Sequence, residues 1–148
     1  MTLKLYGLKE IPLVKKGDNI AKIIEEDLEK ENISLEDGDI LLIAETLISK
    51  AEGNYIKIDE IEPSEETIEI AKKCRKDPKI VEAILQEANE IVAVGPNFIV
   101  TETKHGFVCA NSGIDESNVE AGLATPMPKN PDASAKEIRE YLEEKSDK

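Results

Sequence analysis

Ile40-Leu41-Leu42-Ile43-Ala44 is a continuous apolar run of strand length set behind an Asp37-Gly38 turn, and no other segment constrains the fold as much. A half-exposed strand alternates apolar and polar residues, whereas this run has no polar face to show to water. That is the pattern of a strand covered on both faces, so Asp39 to Ala44 is the expected centre of a sheet. Short strands and amphipathic helices alternate around it without an internal repeat. The expected class is therefore α+β, a mixed sheet carrying amphipathic helices, in a single domain spanning residues 1–148.

Leu3 to Tyr6 reads as a first strand, and Ile11-Pro12-Leu13-Val14 as a short extended piece that Pro12 keeps out of a helix. Asp18 is placed to cap a helix with apolar positions Ile20, Ile23, Ile24 and Leu28, running to about Asn32. Glu45 to Glu52 makes a short helix or loop stopped by Gly53, and Tyr55 to Ile58 a strand. Pro63-Ser64-Glu65-Glu66 starts one helix and Pro78 another, which carries Ile80, Val81, Ile84 and Leu85; the two are expected to form a helical hairpin. Strands follow at Glu90 to Val94, Phe98 to Thr103 and Phe107 to Asn111, with turns at Gly95-Pro96-Asn97 and Lys104-His105-Gly106. A final helix runs from Ser134 to Glu144.

Charge excludes one class of function. A formal net charge of -13, with Lys and Arg scattered, repels a phosphate backbone, so no nucleic-acid partner is expected. An anionic ligand would need a divalent cation to bridge it to this surface. No run approaches the roughly 20 apolar residues of a membrane span. Cys74 and Cys109 make no CxxC pair and no disulfide framework, and Met1 to Tyr6 lacks the pattern of a signal peptide. The expected setting is soluble, reducing and cytoplasmic.

Rare chemistry is gathered between Lys104 and Val119, which hold the only histidine, His105, together with Cys109, Asn111, Ser112, Asp115, Ser117 and Asn118. Distance argues against a Cys-His nucleophile: four residues of extended chain at about 3.3 Å each separate His105 from Cys109 by roughly 13 Å. Asp115 and Asn118 lie just past a strand end, where loops commonly hold ligands. Asp115 offers carboxylate oxygens to a hard divalent cation, and Asn118, three residues on, an amide to the same cleft. The plainer reading is that Asp115 or Ser112 caps a short helical turn, and one carboxylate is a poor metal site by itself. Neither GxxxxGK[ST] nor a GxGxxG after a strand is present. Lys50, with the Thr46 and Ser49 hydroxyls at a strand-loop-helix junction, is the best-placed anion contact, its plain alternative being a solvated surface lysine. Glu25-Glu26 and Glu65-Glu66 read as solvated helix faces.

Blocks spread in order along nearly the whole chain carry a resemblance. They are Gly7-Leu8 through Ile11-Pro12, Glu36-Asp37-Gly38-Asp39-Ile40, Ile48-Ser49-Lys50-Ala51-Glu52-Gly53, Lys76-Asp77-Pro78, His105 through Asn111, Gly113 through Val119, and Asn130-Pro131-Asp132-Ala133-Ser134-Ala135. Together they resemble the coenzyme F420-0:L-glutamate ligase family, the block from His105 to Val119 being the most specific.

The resemblance implies a GTP-dependent amide ligase of coenzyme F420 biosynthesis. Such an enzyme joins L-glutamate through its amino group to coenzyme F420-0 by way of an acyl phosphate, with divalent metal (Mg2+ or Mn2+) and K+. It further implies an intertwined homodimer with the site in a groove. Residue by residue, it implies Asp115 as a metal ligand, Asn118 and Lys50 as nucleotide contacts, Glu45 and Thr46 at the neighbouring contact, and Ile11, Pro12, Leu13 and Val14 as backbone contacts near base or ribose. No side chain is implied to react covalently; His105 and Cys109 are expected to shape the wall.

The family continues past the helix near Ser134 into a strand with an Asp-Thr pair and a Gly-Arg-Pro-type loop, which supply further metal ligands. This sequence stops at Lys148, so it is expected to be the N-terminal part of the ligase, incomplete as a chain alone. Thr125-Pro126-Met127-Pro128-Lys129 also departs from the family's more acidic, leucine-rich approach to Pro131-Asp132. The alternative reading is a non-catalytic nucleotide- or metal-binding fragment that assembles with a partner chain.

Overall fold

The computed structural model describes residues 2–146. In chain order its elements are helices α1 (Ile20–Glu31) and α2 (Glu45–Glu52), strand β1 (Ile56–Lys57), helices α3 (Glu65–Cys74) and α4 (Pro78–Gln86), strands β2 (Ala88–Gly95), β3 (Phe98–Thr103), β4 (Val108–Ala110) and β5 (Leu123–Ala124), and helix α5 (Pro131–Ser146). The chain divides into two compact units: Met1–Gly53 with Pro128–Lys148, and Asn54–Met127.

In the first unit α1 starts one residue later than expected. Asn19 is the cap, its side chain accepting from the Lys22 N–H at 3.0 Å, while Asp18 accepts from the Lys15 N–H at 2.7 Å and so closes the preceding turn. Ile20, Ala21, Ile24 and Leu28 repeat at helical spacing and pack with Val14, Ile48, Ile138 and Leu142 into one core. Asp27 is buried on the same helix. Its Oδ2 accepts from the Glu10 N–H at 3.4 Å and its Oδ1 has no hydrogen-bond partner.

The two strands expected in this unit do not form. Leu3 to Tyr6 and Asp39 to Ala44 lie outside every ladder, and Ile40 and Leu42 are 84% and 83% exposed. The sequence pattern was that of a sheet centre, but a central strand needs neighbours on both edges and no described residue pairs with this one. Only Ile43, at its inner end, folds against the core.

The second unit holds all the strands. β2, β3 and β4 form an antiparallel sheet in that order, and β1 pairs antiparallel with β5. The class is α+β as expected, with two antiparallel sheets in place of one mixed sheet. β2 and β3 turn over Pro96 and Asn97, the latter in the left-handed region at φ 69. α3 and α4 pack on each other as the expected hairpin. Glu82 of α4 joins them: its carboxylate accepts from the Thr67 hydroxyl at 2.6 Å and the Ser64 N–H at 3.0 Å, at the very start of α3. Cys74, Val81, Ala83, Ile84, Ile99 and Ala124 are the most enclosed residues of this core. Among the described residues no helix is long and apolar enough to cross a membrane.

Candidate functional site

β4 runs directly into a single 3-10 turn, Asn111–Gly113, whose three residues all have positive φ (56, 53 and 73). L side chains rarely adopt that backbone, so something must hold it there. Ser112 supplies the hold. Its hydroxyl donates to the Ile84 carbonyl of α4 at 2.8 Å and meets the Thr101 hydroxyl of β3 at 2.7 Å, all of it buried. Gly113 is required by space as well as by φ, since a Cβ there would lie 2.5 Å from Cγ of Met127.

The turn hands the chain to Asp115, whose backbone is fixed by an antiparallel bridge to Thr125: Asp115 N–H to Thr125 O at 3.0 Å and Thr125 N–H to Asp115 O at 2.8 Å. Its side chain then folds over the next turn. One carboxylate oxygen accepts from the Ser117 N–H at 2.8 Å and the other from the Ser117 hydroxyl at 2.7 Å. Asn118 follows at φ 57, exposed, its amide donating to the Ser117 Oγ at 3.4 Å. Asp115 and Asn118, singled out together in the sequence, are thus brought onto one loop through Ser117. The capping role weighed for Asp115 is present too, as a cap on the loop and not on a helix.

A divalent cation at this loop would meet one carboxylate. Among the described residues no group of three His, Cys, Asp or Glu side chains gathers that could hold a metal ion. That donor set suits a hard cation held by one carboxylate, its own waters and a ligand's phosphates, and does not amount to a protein cage.

The other expected contacts lie in the first unit, and there they are brought together. The Gly17 N–H donates to the Ala51 carbonyl at 2.8 Å, Lys16 lies under Gly53, and Val14 shares a core with Ile48, so the chain from Val14 to Gly17 runs against α2. Val14 is buried and Leu13 fully out. α2 begins at Glu45 without a side-chain cap, the Leu47 N–H donating back to the Ala44 carbonyl at 3.0 Å, and Thr46 and Lys50 stand four residues apart on one face, both half-buried. His105 sits on the exposed turn after β3, its ring 6.5 Å from that of Phe107, and Cys109 lies within β4 opposite Thr101.

Comparison with known proteins gives the family. The model of the F420-0:gamma-glutamyl ligase family matches residues 9–148. The chain belongs to this family. It is 56% identical over 144 residues to the coenzyme F420:L-glutamate ligase of Methanothermobacter thermautotrophicus, covering 97% of this chain and 57% of that protein. It is 55% identical over 143 residues to the Methanocaldococcus jannaschii protein of the same name, covering 95% and 54%. It is 40% identical over 148 residues to that of Methanosarcina acetivorans, covering 100% and 56%. The chain spans a little over half the length of these curated relatives. Within that family segment, sequence reasoning missed the Thr101–Ser112–Ile84 chain. Its only signal was two small hydroxyl residues, one following the apolar Phe98-Ile99-Val100 of β3 and one beside a glycine.

Proposed function

We propose that this chain supplies a little over half of a GTP-dependent amide ligase that joins L-glutamate to coenzyme F420-0. The observation that carries the reading is the Asp115 loop, a carboxylate fixed by a backbone bridge and by Ser117 with the Asn118 amide beside it. Family membership and the names of the relatives support the substrates.

A carboxylate is a poor acyl donor at neutral pH. Transfer of the GTP γ-phosphoryl group to it makes an acyl phosphate and GDP; the glutamate amine then attacks the carbonyl carbon, an amide forms and inorganic phosphate leaves with the bonding electrons. Charge on the transferring group must be neutralised, and a divalent cation, Mg2+ or Mn2+, supplies that when bound. In this chain Asp115 would be one ligand to it, Asn118 would orient the nucleotide and Lys50 would screen phosphate charge. Glu45, Thr46 and the Ile11–Val14 backbone would line the nucleotide. K+, a homodimer and a cytoplasmic setting belong to the same reading, the last supported by two cysteines that are not joined in a disulfide.

The test fuses the chain to the complementary segment of the Methanothermobacter relative and supplies GTP, Mn2+, L-glutamate and F420-0. GDP release and a product heavier by one glutamyl residue are expected. Asp115→Asn keeps an acceptor for the Ser117 N–H but loses the charge, and should cut turnover about 100-fold or more without lowering Tm. Wild-type turnover in that variant would remove Asp115 from the reaction. Calorimetry with GDP and Mn2+ on the chain alone separates a binding fragment from one that needs its complement to bind.

A further inference from the structure

α1 buries a carboxylate in an aliphatic core. Asp27 is 1% exposed on the helix face that also carries Ile20, Ile24 and Leu28, and its Oδ1 meets no hydrogen-bond partner. An unpaired buried carboxylate oxygen costs stability that a leucine, with the same heavy-atom skeleton, would not. Against that cost stands the contact of its Oδ2, which accepts from the Glu10 N–H at 3.4 Å.

Glu10 lies in the extended stretch that leads into Ile11–Val14. Leu8 before it and Val14 after it pack into the core, while Leu13 is 85% exposed. Apolar packing is non-directional, so it holds the two ends down without fixing how the main chain between them is turned. A hydrogen bond to the main chain does fix that. Lys9 also lies 3.5 Å from Glu31, and Lys30 3.7 Å from Glu10, but both pairs reach solvent and hold long side chains, not backbone.

We propose that Asp27 is a positioning residue for the nucleotide: by holding the Glu10 main chain it sets where the Ile11–Val14 backbone is presented to base or ribose. Asp27 is enclosed and touches no ligand itself. The proposal rests on the nucleotide reading of Ile11–Val14.

Asp27→Leu and Asp27→Asn are made in the fused enzyme. Asp27→Leu removes the acceptor and extends the aliphatic face, so Tm should hold or rise while KM for GTP rises about tenfold and kcat stays within about twofold. Asp27→Asn keeps an acceptor for the Glu10 N–H, and its KM should stay within about twofold of wild type. In the chain alone, exchange of the Glu10 amide should quicken about tenfold in Asp27→Leu and not in Asp27→Asn. Should Asp27→Leu fail to fold, Asp27→Ala carries the same comparison without added bulk. A wild-type KM or an unchanged Glu10 amide in the variant lacking the acceptor would overturn the proposal, and so would an Asp27→Asn that behaves no better than it. A wild-type fusion that consumes no GTP overturns the ligase reading instead and takes the nucleotide half of the proposal with it, while the Glu10 amide still reports whether Asp27 holds the stretch.

Discussion

Two side chains in the second unit do more than fill space. The Ser112 hydroxyl ties the strained turn to the core beneath it, so Ser112→Ala leaves the Thr101 hydroxyl buried without that partner and the Ile84 carbonyl with the Glu87 N–H alone. The expected cost is about 1–3 kcal/mol, measured by urea unfolding. Glu82 answers to pH. Hydrogen bonds from the Thr67 hydroxyl first, then from the Ser64 backbone, hold its carboxyl below the usual carboxylate range. A carboxyl whose folded value is depressed adds stability that is present above the unfolded value and is lost as pH falls through the folded one. Glu82→Gln should therefore lower the Tm modestly at neutral pH, solvent screening holding the effect small, and the gap to wild type should close on acidification below the ordinary glutamate range, in melts taken across pH. Asp115 was legible in the sequence because polar residues and glycines crowd around it. The Ser112 chain was not, since it joins positions in three separate elements that only the folded backbone brings within reach.

Helix ends were read well from local chemistry at α2, α3 and α4, whereas α1 is capped by Asn19 in place of Asp18 and α5 begins at Pro131, ahead of the expected Ser134. Asp77 before Pro78 caps α4 through the Lys79 N–H at 2.8 Å, Ser64 caps α3, and Gly53 closes α2, all signals contained within a few residues. The end of α3 breaks the rule. Arg75 takes the left-handed conformation at φ 54 that glycine adopts without strain. Arg75→Gly is expected to stabilise by about 1 kcal/mol, seen as a higher midpoint in denaturant. Strands were legible where their partners are near in sequence: β3 has the expected bounds, and β2 and β4 lie alongside it. The Asp39–Ala44 run had the strongest apolar pattern and forms no strand, because pattern states what a segment would bury and pairing depends on what lies beside it.

At the scale of the molecule the second unit is continuous in sequence, residues 54–127, and interrupts the first. It has its own core and both sheets. Residues 54–127 made as a separate polypeptide should unfold cooperatively in a single transition, followed by circular dichroism; a broad, non-cooperative melt would contradict the separate core. The single unbroken pattern of elements in the sequence contained no linker to mark the boundary, because both crossings are only a few residues long, one between Glu52 and Ile56 and the other between Ala124 and Pro131.

Those crossings are tied on each side. The Lys129 N–H and the Ser134 hydroxyl both reach the Glu52 carboxylate, at 3.2 and 3.0 Å, and the Asn54 amide reaches the Met127 carbonyl at 3.0 Å. Chain enters and leaves the interrupting piece through adjoining residues, so its removal would ask only for a short splice between Gly53 and Pro128. A gene carrying this arrangement could gain or shed the whole module in one recombination event.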